Sequence, residues 1–284
     1  MADEYLIGDE SDLPVVCLPG LTRNGRDFTA LAHALARPDA EDPGRRVIVL
    51  ESRGRGRSGR ADPQTYTLTQ ELADLTVAME AFGVDKAHFV GTSRGGLLSM
   101  ALTATAPERV GCVVLNDIGP QIDWPGLSRI AKAVGVRMAF DSYEDLAAQM
   151  REGLGPQFPS LADDDWTRFA HQLASPSRKG SNNGAVSLDY DAALADMFKD
   201  FAESGTSPDF WPAFNLMENH PVMVIRGANS DLLSAATIEA MRRRHNHLTT
   251  FIAVGEGHAP LLWDRASTEA IRNFLNAPAM ARAA

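Results

Sequence analysis

One serine stands in a setting that favours chemistry. Ser93 lies in His88-Phe89-Val90-Gly91-Thr92-Ser93-Arg94-Gly95-Gly96-Leu97-Leu98, an apolar run that breaks at small residues on both sides of the hydroxyl. The stretch reads as strand, sharp turn and helix, with Ser93 at the turn. Gly91 and Gly95 supply the room that such a strained, exposed turn demands in a G-x-S-x-G pattern. A serine hydroxyl is a weak nucleophile until a base takes its proton, and the base needs a third group to orient it. The sequence offers His258, in Gly257-His258-Ala259-Pro260, and Asp231, at the end of Gly227-Ala228-Asn229-Ser230-Asp231. Taken singly, each has a plain explanation: a glycine-rich turn, a core histidine, a capping aspartate.

Position is what joins them. Pro14-Val15-Val16-Cys17-Leu18 is a short apolar run entering a loop at Pro19-Gly20, and Arg45–Leu50, Val110–Leu115, Pro221–Ile225 and Leu248–Val254 have the same character. Continuous apolar runs of this length fit strands buried on both faces. Helical patterns separate them: Phe28, Leu31, Ala32 and Leu35 in one, Leu72, Leu75, Val77, Met79 and Phe82 in another behind Thr69 as N-cap, with Gly83 as its stop. Strict alternation predicts an α/β fold, a doubly wound and mostly parallel sheet with right-handed crossovers. In such a sheet the strand C-termini share one edge, where sites form. Ser93, Asp231 and His258 each fall just past a strand, so they are expected to converge there.

The alternation stops from about 121 to 212. That interval shows helix-like segments at Ser128–Val134, Tyr143–Gly153, Asp163–Leu173 and Ala192–Phe201 and no clear buried strand. It is read as a helical cap inserted between residues 1–120 and 213–284 of the core and rising over the site. The loop Glu51–Gly59 contains G-x-G-x-x-G at Gly54, Gly56 and Gly59. A dinucleotide fingerprint must open a helix directly so that its N-terminus meets a pyrophosphate. Here Ala61-Asp62-Pro63-Gln64 continues as turn, and the arginines of the loop are assigned to a solvated surface. His245 and His247 close a helix ending in Arg242, Arg243 and Arg244 and are read as dipole-compensating cations rather than metal ligands, so no metal is expected.

Composition narrows the classes. A chain of 284 residues with 44% hydrophobic and 23% charged residues can bury a sizeable core. A net charge of −10 disfavours a nucleic-acid surface. Cys17 and Cys112 lie in apolar runs and are expected as two buried thiols without a disulfide. No apolar stretch approaches 18 residues and the acidic start lacks a secretory pattern, so a cytoplasmic location without membrane contact is expected, as monomer or homodimer.

With Leu18-Pro19-Gly20-Leu21, the Arg53–Ser58 loop, Gly91–Gly95, Gly227–Asp231 and Gly257-His258 in place, the sequence resembles the α/β-hydrolase family with an inserted cap, from Val15 to Leu275. The order serine, acid, histidine is that of this family and differs from both protease orders. The resemblance implies a Ser93-His258-Asp231 triad and an oxyanion hole of the Leu21 and Arg94 backbone N–H groups. Where the family usually has His-Gly, this chain has Pro19-Gly20, a departure that touches the loop's support rather than the backbone donors. Some relatives draw the acid from the strand after the nucleophile strand, which here ends at Asp117. Relatives with an aspartate nucleophile, the haloalkane dehalogenases and epoxide hydrolases, do not fit Ser93. The activity implied is hydrolysis of a carboxylic ester or lactone of a small-molecule acyl substrate, without metal or cofactor. Cleavage of a C–C bond in a diketone and a non-catalytic ligand receptor are the alternatives. Arg94, Arg23 and Trp124 are the candidate substrate-binding residues. Arginine at 94 predicts either an anionic substrate or an internal pair with Asp117 or another strand-end carboxylate.

Overall fold

In the computed structural model, residues 1–5, 13–38, 43–177, 184–198 and 207–277 are described. Seven strands form one sheet: β1 (Ala2–Tyr5), β2 (Val15–Leu18), β3 (Val47–Leu50), β4 (Ala87–Thr92), β5 (Val110–Asn116), β9 (Val222–Gly227) and β10 (Leu248–Ala253). Their spatial order is β1-β3-β2-β4-β5-β9-β10, parallel throughout except for β1, which runs antiparallel on the edge. The largely polar sequence of β1, Ala2-Asp3-Glu4-Tyr5, carries no apolar run that would announce a strand. β2, β3 and β4 are buried at every position. That burial explains why their sequences run apolar rather than alternate.

Helices cover both faces, as a doubly wound sheet requires. On one side α2 (Leu68–Ala81) and α3 (Arg94–Thr105) pack through Leu75, Met79, Leu98 and Leu102 against Val16, Phe89 and Leu115, joined by α8 (Ala235–Arg244). On the other, α1 (Thr29–Ala36) and α9 (Arg265–Asn276) bury Leu31, Leu35, Ile271 and Phe274 against Val15, Val90 and Ile225. Helix α2 starts two residues earlier than expected, because Thr67 and not Thr69 accepts the Gln70 N–H as N-cap. Cys17 and Cys112 are buried thiols of β2 and β5 and form no disulfide. His245 is buried, and burial pushes its imidazole below the ordinary range despite its hydrogen bond to the Met217 carbonyl. It is a neutral core group, not the dipole-compensating cation expected from its place at a helix end. No helix among the described residues is long and apolar enough to cross a membrane.

The interval between β5 and β9 carries α4 (Trp124–Ala133), α5 (Tyr143–Leu154), α6 (Asp163–Leu173), a 3₁₀ segment at Ala192–Phe198 and α7 (Trp211–Asn215). It also holds a small antiparallel sheet of β6 (Ala139–Phe140), β7 (Ala174–Pro176) and β8 (Val186–Leu188), in the order β6-β8-β7. The expectation of a purely helical insertion is corrected here: strands of two or three residues are too short to leave a periodic signal. Positions 199–201 of the last expected helix lie outside the described residues. The insertion docks on the arginine and glycine loop through backbone bonds, Gly56 N–H to Asp189 O at 2.7 Å and Asp191 N–H to Gly54 O at 2.7 Å. Gly54 and Gly56 have φ of +72° and +56° there, and a side chain at either would collide with Tyr66 or Glu51. The glycines thus serve cap docking. The loop is not a solvated surface either, since Arg55 is buried and Arg53 pairs with Asp74.

Candidate active site

Ser93 has φ +50° and ψ −114° between β4 and α3, a conformation rare for a residue with a Cβ. The sequence makes it attainable by omitting neighbours. A side chain at Gly91 would strike Gly95, and one at Gly95 would strike the Leu18 carbonyl. The turn is held by the Ser93 N–H donating to Asn116 O at 2.9 Å. Asn116 Nδ2 also donates to Thr92 Oγ1 at 3.0 Å and to Pro260 O at 2.9 Å, tying the end of β4 to the loop that carries His258. The His258 N–H donates to Gln157 Oε1 at 3.0 Å, a contact from the insertion that its sequence does not announce.

The acid is where the structure departs from the primary expectation. His258 Nδ1 lies 2.9 Å from Asp117 Oδ2, and the Asp117 carboxylate is fully buried. Asp117 accepts two more hydrogen bonds, from the Gly227 N–H at 2.8 Å and from Ser230 Oγ at 2.5 Å. It sits at φ +52°, which aspartate tolerates better than most residues. Asp231 instead faces the insertion: Arg129 of α4 donates Nε to Oδ2 at 2.7 Å and Nη2 to Oδ1 at 2.8 Å. Burial raises the Asp231 carboxyl, but the Arg129 bond and charge, with His258 nearby, outweigh it and hold the group below the usual carboxylate range. The Asp231 backbone also docks α4, accepting the Gly126 N–H at 3.1 Å. Both aspartates follow strands, and they differ in their partners: Asp117 meets His258, Gly227 and Ser230, whereas Asp231 meets Arg129.

A cavity of about 420 Å³ opens over Ser93 and His258, and Leu21, Arg23, Arg129, Tyr190 and Leu261 are among its walls. The N–H groups of Leu21 and Arg94 donate to no acceptor among the described residues, the state an oxyanion hole needs. Ser93 Oγ makes no hydrogen bond among the described residues; catalytic contacts of this kind often tighten only when substrate binds.

The three candidate substrate-binding residues separate. Arg23 lines the cavity, with Nε and Nη2 on Asp27 at 2.6 Å each and its guanidinium 4.7 Å from the centre of the Phe169 ring. Arg94 points away from the cavity to a buried carboxylate, as the internal alternative expected, but the partner is Glu71 at 2.7 Å rather than Asp117. Trp124, 37% exposed, lies beside a separate surface groove with Pro120 and Trp211 and does not reach the cavity. Nothing in the sequence singles out Arg129, although it too lines the cavity. No cluster of three histidine, cysteine or acidic groups among the described residues is arranged to hold a metal ion.

Comparison with known proteins places this geometry. A family model described as the alpha/beta hydrolase fold matches residues 14–265. The chain is 31% identical over 256 residues to the 3-hydroxybutyrate-oligomer hydrolase of Cupriavidus necator, covering 89% of this chain and 84% of that protein. It is 26% identical over 233 residues to the 2-(acetamidomethylene)succinate hydrolase of Mesorhizobium japonicum, covering 81% and 78%. Among solved structures, an alpha/beta hydrolase from Novosphingobium aromaticivorans superposes with a TM-score of 0.86 at 38% identity, over 96% of this chain and 92% of that one.

Proposed function

The chain belongs to the α/β-hydrolase family, and from that premise we propose that this hydrolase is a serine carboxylic-ester hydrolase whose triad is Ser93, His258 and Asp117. The observation that carries the reading is the bond between His258 Nδ1 and buried Asp117 at 2.9 Å, with His258 and Ser93 on the wall of one cavity. A carboxylate accepts only, so Nδ1 holds the ring proton and Nε2 presents a lone pair. His258 Nε2 takes the Ser93 proton as Oγ attacks the substrate carbonyl, and Asp117 stabilises the imidazolium. The developing oxyanion is met by the Leu21 and Arg94 N–H groups. The imidazolium then protonates the leaving alcohol, and water, activated by the same base, cleaves the acyl-enzyme and restores Ser93. None of these steps calls on a metal or organic cofactor.

The substrate class we favour is a short acyl ester bearing a carboxylate. Arg23 and Arg129 hold Asp27 and Asp231 through Nε and Nη2, and the Nη1 of each makes no hydrogen bond among the described residues. Both line an otherwise largely apolar cavity, a setting in which guanidinium groups select anions. An oligomer of a hydroxy acid, as in the name of the Cupriavidus relative, has both the ester and the carboxylate. The test is labelling with a fluorophosphonate followed by mapping of the modified peptide, together with ester turnover by Ser93→Ala. Labelling at Ser93 and loss of turnover in a folded variant are expected. Substantial turnover by Ser93→Ala, or no labelling of the wild type as in an idle receptor, overturns the proposal.

A further inference from the structure

We propose that Glu71 is a positioning residue that ties the two halves of the oxyanion hole together. Glu71 lies on α2 with its side chain 1% exposed, and it takes no part in the proton transfers. Its Oε2 accepts Arg94 Nε at 2.7 Å, and its Oε1 accepts Arg55 Nη1 at 2.8 Å. Arg55, equally buried, donates its Nε to the Leu21 carbonyl at 2.6 Å and its Nη1 also to the Arg53 carbonyl at 2.7 Å. One carboxylate therefore holds the residue that follows the nucleophile and, through one guanidinium, the oxyanion loop. The inference rests on the reading of Leu21 and Arg94 as the oxyanion donors.

Cost is the reason to look for a function. Removing ions from water is costly, and apolar residues in place of a buried ionic trio are often neutral or stabilising. This trio is also incompletely satisfied: Arg55 Nη2 and Arg94 Nη2 are buried and make no hydrogen bond among the described residues. Burial lowers the Arg55 pKa, and the Arg94 charge lowers it further against the opposing pull of Glu71. Two guanidinium groups on one carboxylate leave a net positive charge beside the hole, the sign that an oxyanion requires. Rigid side-chain tethers also cost nothing at the moment of reaction, which is what electrostatic preorganisation means physically.

The position of the backbone donors matters only when the oxyanion forms, so the effect belongs in kcat rather than KM. Glu71→Gln strands two buried cations and risks misfolding. Arg55→Met instead keeps a one-to-one Glu71–Arg94 pair, and Arg55→Met/Glu71→Leu/Arg94→Met replaces the whole trio by apolar groups of similar length. In the full chain, each variant is measured for Tm, for kcat and KM on an ester, and for inhibition by a trifluoromethyl ketone whose serine adduct carries the oxyanion. Arg55→Met should lose about 10- to 100-fold in kcat, less than outright loss of a donor, with KM within about threefold. Inhibitor affinity should weaken in proportion. The triple variant should lose at least as much as Arg55→Met, since the same tie is open in both. A folded triple variant with kcat within about threefold of wild type overturns the proposal, as does a loss confined to KM with unchanged inhibitor affinity. Wild-type protein that neither turns over esters nor binds the ketone would instead refute the serine-hydrolase reading, and this proposal with it.

Discussion

Replacing each candidate acid by asparagine separates the two carboxylates near His258. In Asp117→Asn, the amide oxygen must remain on the Gly227 N–H, which cannot reverse its polarity. The amide nitrogen then replaces Oδ2 and faces Ser230 Oγ and His258 Nδ1. Ser230 Oγ already accepts the Leu232 and Leu233 N–H groups at 3.2 and 3.1 Å, so the amide N–H is left to the imidazole, which can accept only by moving its proton to Nε2. A histidine in that tautomer cannot take the Ser93 proton. The comparable change in a serine protease costs about 10⁴-fold, so we expect a fall in kcat of about 10³- to 10⁴-fold, or roughly 4–5.5 kcal/mol of activation free energy. In Asp231→Asn the loss is an ion pair whose side chains are 33% and 28% exposed. Solvent screening holds such a pair to about 0–1 kcal/mol of stability, and kcat should stay within about threefold. Steady-state kinetics on a chromogenic ester, with thermal melts to show that both variants fold, makes the comparison. A larger kcat loss in Asp231→Asn than in Asp117→Asn would refute the assignment of the acid.

The other predictions concern the cavity and the loop beside His258. Arg23→Met/Arg129→Met should lower kcat/KM for a carboxylate-bearing ester by about 10- to 100-fold, the scale of one hydrogen bond to a charged group, while its matched methyl ester changes by less than about threefold; equal losses on both esters would remove the anionic-substrate reading. Burial pushes the Glu256 carboxyl from 4.5 up to about 7, with Asp264 and Asp117 adding to the rise against the Leu261 N–H. The folded state therefore holds a proton that the unfolded chain releases near 4.5. This group's contribution is complete below pH 4.5 and is lost as pH rises to about 7, at roughly 1.4 kcal/mol per unit and up to about 3 kcal/mol in all. Urea denaturation of wild type and Glu256→Gln across that window should show the wild type losing the additional stability, and parallel curves would rule the effect out.

Much of this arrangement is legible in the chain because its physical causes are local. Parallel strands buried on both faces must be apolar throughout, so Val15–Leu18, Val47–Leu50 and Val110–Leu115 are visible as runs. The strained turn at Ser93 needs Gly91 and Gly95 within two residues of it, so the elbow is visible too. What escapes the sequence is long range. Glu71 is 23 residues from Arg94 and 16 from Arg55, and in the sequence it is one acidic residue on an amphipathic helix. The strands β6, β7 and β8 exist through pairing with one another. The arginines of the glycine loop read as solvated because nothing local reveals the tertiary partners that surround Arg55.

The acid shows most sharply where local reasoning ends. Asp117 and Asp231 have the same residue type and the same kind of place, each just past a parallel strand on one edge of the sheet. No periodicity separates them. The choice is made by Arg129, 102 residues from Asp231, which occupies both of its carboxylate oxygens, and by Ser230 and Gly227, which orient Asp117 toward His258. Asp117 is fully buried, where a polar group is costly unless its hydrogen bonds are made, and the imidazole N–H is one of its donors. Asp231, partly exposed and already bonded at both oxygens, has no such need. The loop after β9 is thereby left to hold α4, the helix that brings Arg129 to the cavity wall. On the proposed reading, the aspartate expected to orient the base instead orients a residue that meets the substrate.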